Sequence, residues 1–306
     1  MRAVGQDVLG GPEVLREFDL ERPAPGPSEV LVRVHAAGVN PTDWIHRATG
    51  LILGEPPFVL GWDVSGVVEA VGLGVTIHRP GDEVFGMLSY PYGNGAHAEY
   101  VVSAARHVVR KPANIDHVQA AALPLAAVTA WQALVDTAEL REGQRVLIHA
   151  AAGGVGHLAV QIAKARGAYV IGTASAAKHD FVRGLGADEM IDYTTTDFAD
   201  VVRDVDVVLD GVGGEYGPRS LRTLRRGGVL VAIVNNVRDL DVERYGVRAE
   251  EMLVEADHAA MRQVADLVEA GRLRAAIDSV FPLADAAKAH ERGETGRVTG
   301  KIVLTL

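Results

Sequence analysis

Along the first third of the chain, apolar residues come in short β-rich runs broken by turn residues. The runs LVRVHAAGV (31–39), SGVVEAVG (65–72), DEVFGML (82–88) and AEYVVSA (98–104) are separated by punctuation such as PAPGPSE (23–29) and RPGDE (79–83). This pattern predicts an irregular β domain over residues 1–120. Past Ala120 the texture changes. Apolar stretches RVLIHA (145–150), AYVIGTA (168–174), DVVLDGVG (206–213) and VLVAIV (229–234) alternate with amphipathic GGVGHLAVQIAKARG (153–167), KHDFVRGLGA (178–187) and EYGPRSLRTLRRGG (215–228). In the first of these, Val155, Leu158, Ala159, Ile162 and Ala163 recur at helical spacing and give one apolar face to lay on a sheet. Repeated strand, turn and helix units predict an α/β domain with a doubly wound parallel sheet over residues 121–271. EEMLVE (250–255) is expected as its last strand and AAMRQVADLVEAG (259–271) as its last helix. The tail returns to short strands and ends in GRVTGKIVLTL (296–306), so residues 272–306 are expected to complete the first domain.

Composition narrows the function classes. With 306 residues, 48% hydrophobic and 23% charged, the chain has ordinary globular composition and room for two domains. A net charge of -10 and the lack of a Lys/Arg run argue against nucleic acid or an anionic membrane as partner. The absence of cysteine removes disulfides, cysteine nucleophiles, thiolate metal sites and iron–sulfur clusters. Asp7 interrupts the N-terminus before any apolar run, so no signal peptide is expected and a cytoplasmic location is. Residues 118–135 carry no charge, but they are alanine-rich and include Pro124 and Gln132, which reads as a buried helix and its lead-in.

The segment Ala151-Ala152-Gly153-Gly154-Val155-Gly156 follows a predicted strand and opens a predicted helix. This is the dinucleotide fingerprint G-x-G-x-x-G with alanine at its first glycine. Gly153 lets backbone N–H groups approach a pyrophosphate, the helix N-terminus favours the anion, and Gly156 permits close helix–strand packing. The same glycines also suit a tight turn with no ligand. Where an NAD site usually ends its next strand in a carboxylate, this chain has Gly172, Thr173, Ala174 and Ser175, with Lys178 one turn on. A carboxylate would repel an adenosine 2′-phosphate, whereas Ser175 donates a hydrogen bond to one and Lys178 neutralises it. NADPH is therefore the expected cofactor; a capping serine and a solvated lysine are the alternative.

These motifs, taken together with AAGVNPTDW (36–44), GWDVSGVVEAVG (61–72), RPGDEVFG (79–86), GAHAEYVV (95–102), ALPLAAVTAWQAL (122–134) and GKIVL (300–304), resemble the zinc-independent quinone oxidoreductase group of the medium-chain dehydrogenases/reductases, related to NADPH:quinone reductases and alkenal reductases. The resemblance covers nearly the whole chain. It implies a GroES-like β-rich catalytic domain over 1–120 and 272–306, a Rossmann domain over 121–271, and a cofactor in the cleft between them. It implies that Ala152, Gly153, Gly154, Val155 and Gly156 hold the pyrophosphate and that Thr173, Ser175, Lys178 and Tyr193 surround the adenosine end. Asn40, Thr129, Asp210, Gly211, Val212, Ile233 and Asn235 would line the nicotinamide end. A homodimer is expected, with EEMLVE as its edge strand.

Zinc relatives take a cysteine from the region matching NPTDW and a histidine from the region matching GWD; here those places hold Thr42 or Asp43, and Trp62. They also carry a four-cysteine lobe where this chain has only MLSYPYGNGA (87–96). No metal is expected. A quinone or enone accepts hydride without a Lewis acid, because the arriving charge is delocalised onto oxygen and needs mainly positioning and a hydrogen-bond donor. Asn40, Trp44, His46 and Thr129 are the expected catalytic residues, with Tyr90 and Tyr92 as further candidates for the acceptor pocket. Trp44 equally suits a wall or a core, His46 a solvent position, and the tyrosines a loop. Some quinone reductases place a tyrosine shortly after N-x-x-D; the matching residue here is Ile45. The expected activity is NADPH-dependent reduction of quinones or α,β-unsaturated carbonyls. A double-bond reductase of a biosynthetic pathway, or an NADPH-binding protein with vestigial catalysis, are the alternatives.

Overall fold

The β-rich runs of the first third become strands of two sheets in the computed structural model, which describes residues 1–92, 95–234 and 237–306. In chain order the strands are β1 (Arg2–Gln6), β2 (Arg16–Asp19), β3 (Glu29–Val39), β4 (Phe58–Val59), β5 (Asp63–Val71), β6 (Glu83–Met87), β7 (Tyr100–Ala104) and β8 (Val108–Arg110). The parallel-sheet segment supplies β9 (Arg145–Ile148), β10 (Tyr169–Ala174), β11 (Glu189–Asp192), β12 (Val205–Asp210), β13 (Leu224–Ala232) and β14 (Arg248–Glu251). The tail supplies β15 (Ile277–Pro282) and β16 (Lys301–Thr305). This is the α/β class expected from the alternation of patterns, with a GroES-like and a Rossmann-type part.

Among the described residues, contacts divide the chain into Met1–Val128 with Glu255–Leu306, and Thr129–Val254. In the first unit the long central strand β3 pairs antiparallel with β5, β7 and β16, giving the order β15-β16-β3-β5-β6-β8, while β1 joins β2 and β4 in a smaller sheet. The tail joins the first unit through β16, with Val303 opposite Gly38. The two units meet along the chain at Val128/Thr129 and Val254/Glu255, not at 120/121 and 271/272. The helix His258–Glu269 belongs to the first unit rather than the second, because its apolar residues Met261, Val264 and Val268 are buried and it is tied to that unit's loops. Asn114 Nδ2 donates to Val268 O at 2.8 Å, and His258 Nδ1 lies 2.9 Å from Arg106 O.

The second unit is a parallel sheet of order β11-β10-β9-β12-β13-β14. Its apolar strands are buried on both faces, as their near-continuous Val/Ile/Leu content requires. The chain runs from β9 outward to β10 and β11, then restarts at β12 on the other side of β9, so the strand order reverses between β9 and β12. Ligands of doubly wound sheets bind outside the carboxyl ends of the strands at such a point. The outer strand β14 covers only the first two residues of EEMLVE, pairs with β13, and carries Arg248 bridged to Glu250 at 3.5 Å. No helix among the described residues is long and apolar enough to cross a membrane.

Candidate active site

In the second unit the fingerprint loop leaves β9 and enters the helix Gly156–Ala165. A Cβ on Gly156 would sit 2.8 Å from Ala151 Cα and closer still to the Ala150 carbonyl oxygen, so only glycine lets the helix start against the turn. Gly153 N donates to Ala150 O at 2.8 Å and His157 Nδ1 lies 2.8 Å from Gly153 O, which fixes the turn from both sides. Ala152 is buried, whereas Gly153, Gly154 and Val155 reach solvent. The N–H groups of Gly154 and Val155 have no acceptor among the described residues. Two unclaimed donors at the start of a ten-residue helix, over glycines that leave room for close approach, fit a dinucleotide pyrophosphate.

At the adenosine end, β10 pairs with β11 so that Ala174 faces Asp192, which brings Ser175 beside Tyr193 at the strand ends. Ser175 precedes the short turn that holds Lys178, and Tyr193 is 51% exposed. Thr173 differs from its expected role: it is buried, and its hydroxyl lies 3.2 Å from His149 Nδ1, so it frames the loop from beneath. His149 also meets Ser220 Oγ at 2.9 Å and lies tilted against Phe198 and edge to face with Tyr216; burial, with Arg219 nearby, pushes its pKa down to about 3. Sequence reasoning passed over Asp192, whose carboxylate accepts from Thr194 N at 3.0 Å and Thr194 Oγ1 at 2.7 Å and is held below the usual range by those bonds.

At the carboxyl ends of β12 and β13, Asp210, Gly211, Val212 and Ile233 come together. Asp210 Oδ1 accepts from Val212 N and Gly213 N, both at 2.9 Å, and Ile233 N donates to Asp210 O at 3.0 Å. Asp210 is fully buried, and its Oδ2 has no partner among the described residues. Asn235 lies outside the described residues. Thr129 is buried on the helix Pro124–Trp131.

In the first unit, Asn40 is the N-cap of the helix Pro41–Thr49, and Asp43 closes the turn by accepting from Asn40 N at 2.6 Å and Gly61 N at 3.0 Å. The Asn40 amide is engaged at both ends. Its Nδ2 donates to Asp63 Oδ2 at 2.8 Å, and its Oδ1 accepts from Lys301 Nζ, which also approaches Asp63 Oδ2 at 3.4 Å. Asp63 Oδ1 accepts from Leu125 N at 2.6 Å. All four polar residues are buried. Burial pushes the Asp43 carboxyl up to about 7, with Asp63 adding to the push and the two backbone N–H groups and Lys301 opposing it.

His46 is also fully buried. Its ring lies 5.1 Å from Trp62 and 6.3 Å from Tyr90, and the rings of Trp62 and Tyr90 meet edge to face at 5.2 Å. Its pKa is lowered by burial, against a hydrogen bond to the Thr42 backbone that raises it. Trp44 does not join this group. It packs with Leu283, Ala286 and Ala289 and lies so close over Gly293 that a Cβ there would be 2.7 Å from Cη2, so the core reading of this residue holds. Tyr92 is 66% exposed and Ile45 points to solvent as well. Among the described residues no three His, Cys, Asp or Glu side chains converge as a metal site.

Two family models match: the alcohol dehydrogenase GroES-like domain over residues 26–113 and the zinc-binding dehydrogenase over residues 185–304. The mitochondrial NAD(P)H oxidoreductase RTN4IP1 of Mus musculus is 36% identical over 92% of this chain and 82% of its own. The 2-haloacrylate reductase of Burkholderia sp is 36% identical, over 96% of both chains. The crystal structure of Escherichia coli quinone oxidoreductase complexed with NADPH superposes with a TM-score of 0.90 at 29% identity, over 100% of both chains.

Proposed function

The chain belongs to the medium-chain dehydrogenase/reductase family, among its quinone oxidoreductases, and on that premise we propose that it reduces quinones or α,β-unsaturated carbonyl compounds with NADPH and without zinc. The observation that carries the reading is the set of residues around Trp62. At the place where zinc relatives present a histidine, a buried indole packs between His46 and Tyr90, and the partner place holds Thr42 and an Asp43 carboxylate already bonded to two backbone N–H groups. Neither is set up to ligate a metal, so an isolated alkoxide would lack its stabiliser, whereas a conjugated acceptor spreads the charge itself. The Burkholderia relative is named for reduction of a haloacrylate, a conjugated acid, which favours acceptors with an activated C=C bond alongside quinones.

When bound, the reduced nicotinamide supplies the hydride. The loop 152–156 would hold the pyrophosphate, Asp210, Gly211, Val212 and Ile233 the nicotinamide end, and Ser175, Lys178 and Tyr193 the adenosine 2′-phosphate. The homodimer belongs to the same reading, with β14 as the open edge a second copy would pair with. A panel of quinones, enones and simple alcohols and aldehydes, followed by NADPH absorbance before and after prolonged chelation, tests it. Quinones and enones are expected to outrank ethanol oxidation and to be unaffected by the chelator. Ethanol or a simple ketone as the better substrate, or activity lost with a stoichiometric zinc, would sink it.

The NADPH preference has its own test. No carboxylate side chain ends β10, and a charge-assisted contact from Lys178 is worth roughly 1.5 to 3 kcal/mol. Lys178→Ala is therefore expected to weaken NADPH by about tenfold to a hundredfold while leaving NADH nearly unchanged. Fluorescence titration of both coenzymes against both proteins measures it; equal affinities in the wild type would overturn the assignment.

A further inference from the structure

Thr42 and His46 stand one helical turn apart in the helix Pro41–Thr49. His46 Nδ1 lies 2.8 Å from the Thr42 carbonyl oxygen, which can only accept, so Nδ1 carries the ring proton. In the neutral ring that burial favours, Nε2 is a bare lone pair and has no partner among the described residues. The same Nδ1–H is 3.0 Å from Thr42 Oγ1, which leaves the threonine hydroxyl proton for its other neighbour. That neighbour is Tyr90, whose hydroxyl oxygen accepts from Thr42 Oγ1 at 3.2 Å. The hydrogen bonds thus run in one direction, from His46 to Thr42 to Tyr90, and the Tyr90 O–H has no acceptor among the described residues. Each donor in such a chain is strengthened by the bond its oxygen accepts. The edge-to-face contact with Trp62 at 5.2 Å holds the phenol ring in place.

We propose that the Tyr90 hydroxyl is the hydrogen-bond donor to the oxygen of the acceptor, with Thr42 and His46 as positioning residues that orient it. The inference deepens the reductase reading and rests on it. Asn40, one of the expected catalytic residues, is buried with its amide engaged by Asp63 and Lys301, and the bare His46 Nε2 can only accept. In conjugate reduction a hydride electron pair forms a C–H bond at the β carbon, the C=C pair shifts toward the carbonyl carbon, and the carbonyl π pair moves onto oxygen. Tyr90 O–H stabilises that oxygen. Water then protonates the α carbon, so the acceptor gains two electrons and two hydrogens while the reduced nicotinamide is oxidised.

Tyr90→Phe keeps the ring against Trp62 and removes only the hydroxyl. With 2-cyclohexenone as probe its kcat is expected to fall about a hundredfold to a thousandfold, as for loss of one donor to a developing oxyanion, and less with 1,4-benzoquinone, whose charge is already more delocalised. NADPH affinity by fluorescence and the circular dichroism spectrum are expected to stay at wild-type values. Thr42→Val should lower kcat for the enone with little change in KM, and Thr42→Ser should restore most of it. A Tyr90→Phe protein with wild-type kcat on the enone overturns the donor role, as does a loss equal on both acceptors and matched by weaker NADPH binding. A wild type that reduces neither acceptor instead overturns the reductase reading itself.

Discussion

A Lys301→Met protein is expected to be about 3 to 5 kcal/mol less stable than the wild type at about pH 8, the usual consequence of removing one partner from a buried ion pair. Lys301 is the cation that approaches both Asp63 and the Asn40 side chain, and without it two buried carboxylates, Asp43 and Asp63, share one pocket of backbone donors. Methionine fills similar volume, so the loss reports charge and hydrogen bonding more than a cavity. The deficit should depend on pH in a defined direction. Asp43 is raised from 3.8 to about 7, so the folded protein binds that proton more tightly than the unfolded chain. The stabilisation from this group is whole below about pH 4 and is lost as pH rises through about 7. Lys301 is one of the groups holding Asp43 down, so its removal raises the carboxyl further and extends the loss to higher pH. The variant should therefore fall further behind the wild type at about pH 8 than at about pH 5.5. Urea unfolding at both values measures the difference. A deficit under about 1 kcal/mol would mean that the cluster is solvated, and a deficit equal at both values would uncouple Asp43 from Lys301.

The parallel sheet was legible through β9, β10 and β12, each a short apolar run leading into an amphipathic helix, a local signal, whereas β11 (EMID) and β14 (RAEE) carry no such run. The loop at 151–156 was legible for the same reason, since the constraint on Gly156 comes from atoms six residues or fewer away. What escaped depends on distance along the chain. Asp63 and Lys301 are separated by 238 positions and meet only because β3 places β5 on one side and β16 on the other. The signal was present in each motif as a charge at the head of a strand, Asp63 opening β5 and Lys301 opening β16, although its partner was not. From its neighbours in NPTDW Trp44 suits a wall and a core equally, and the choice is made by the helix Ala286–Glu294, far downstream. His258–Glu269 has the amphipathic pattern of a Rossmann helix; which sheet it covers is decided by partners such as Asn114. Periodicity shows that a face is buried, not against what.

The second large effect is expected at Gly156, where Gly156→Val should abolish measurable NADPH binding and lower the unfolding temperature of the protein. A Cβ there meets the Ala150 carbonyl, the Ala150 carbonyl carbon at 2.9 Å and Ala151 Cα at 2.8 Å, all of them backbone atoms with no rotamer to relieve the clash. The helix Gly156–Ala165 must lift from the turn after β9. Lifting it moves the Gly154 and Val155 N–H groups that would meet the pyrophosphate, and overpacking of this kind costs roughly 1 to 3 kcal/mol, or more for a branched side chain. Gly153→Ala is the internal control. A Cβ at Gly153 comes no nearer than 3.1 Å to Ala150 O, so the fold can absorb it, yet the methyl adds bulk to a residue of the turn that reaches solvent. That variant should lose coenzyme affinity with little change in unfolding temperature, whereas Gly156→Val should lose both. Paired calorimetry and coenzyme titration separate the two. If Gly156→Val binds NADPH as the wild type does, the helix is not held where these contacts put it, and the loop is not the pyrophosphate site.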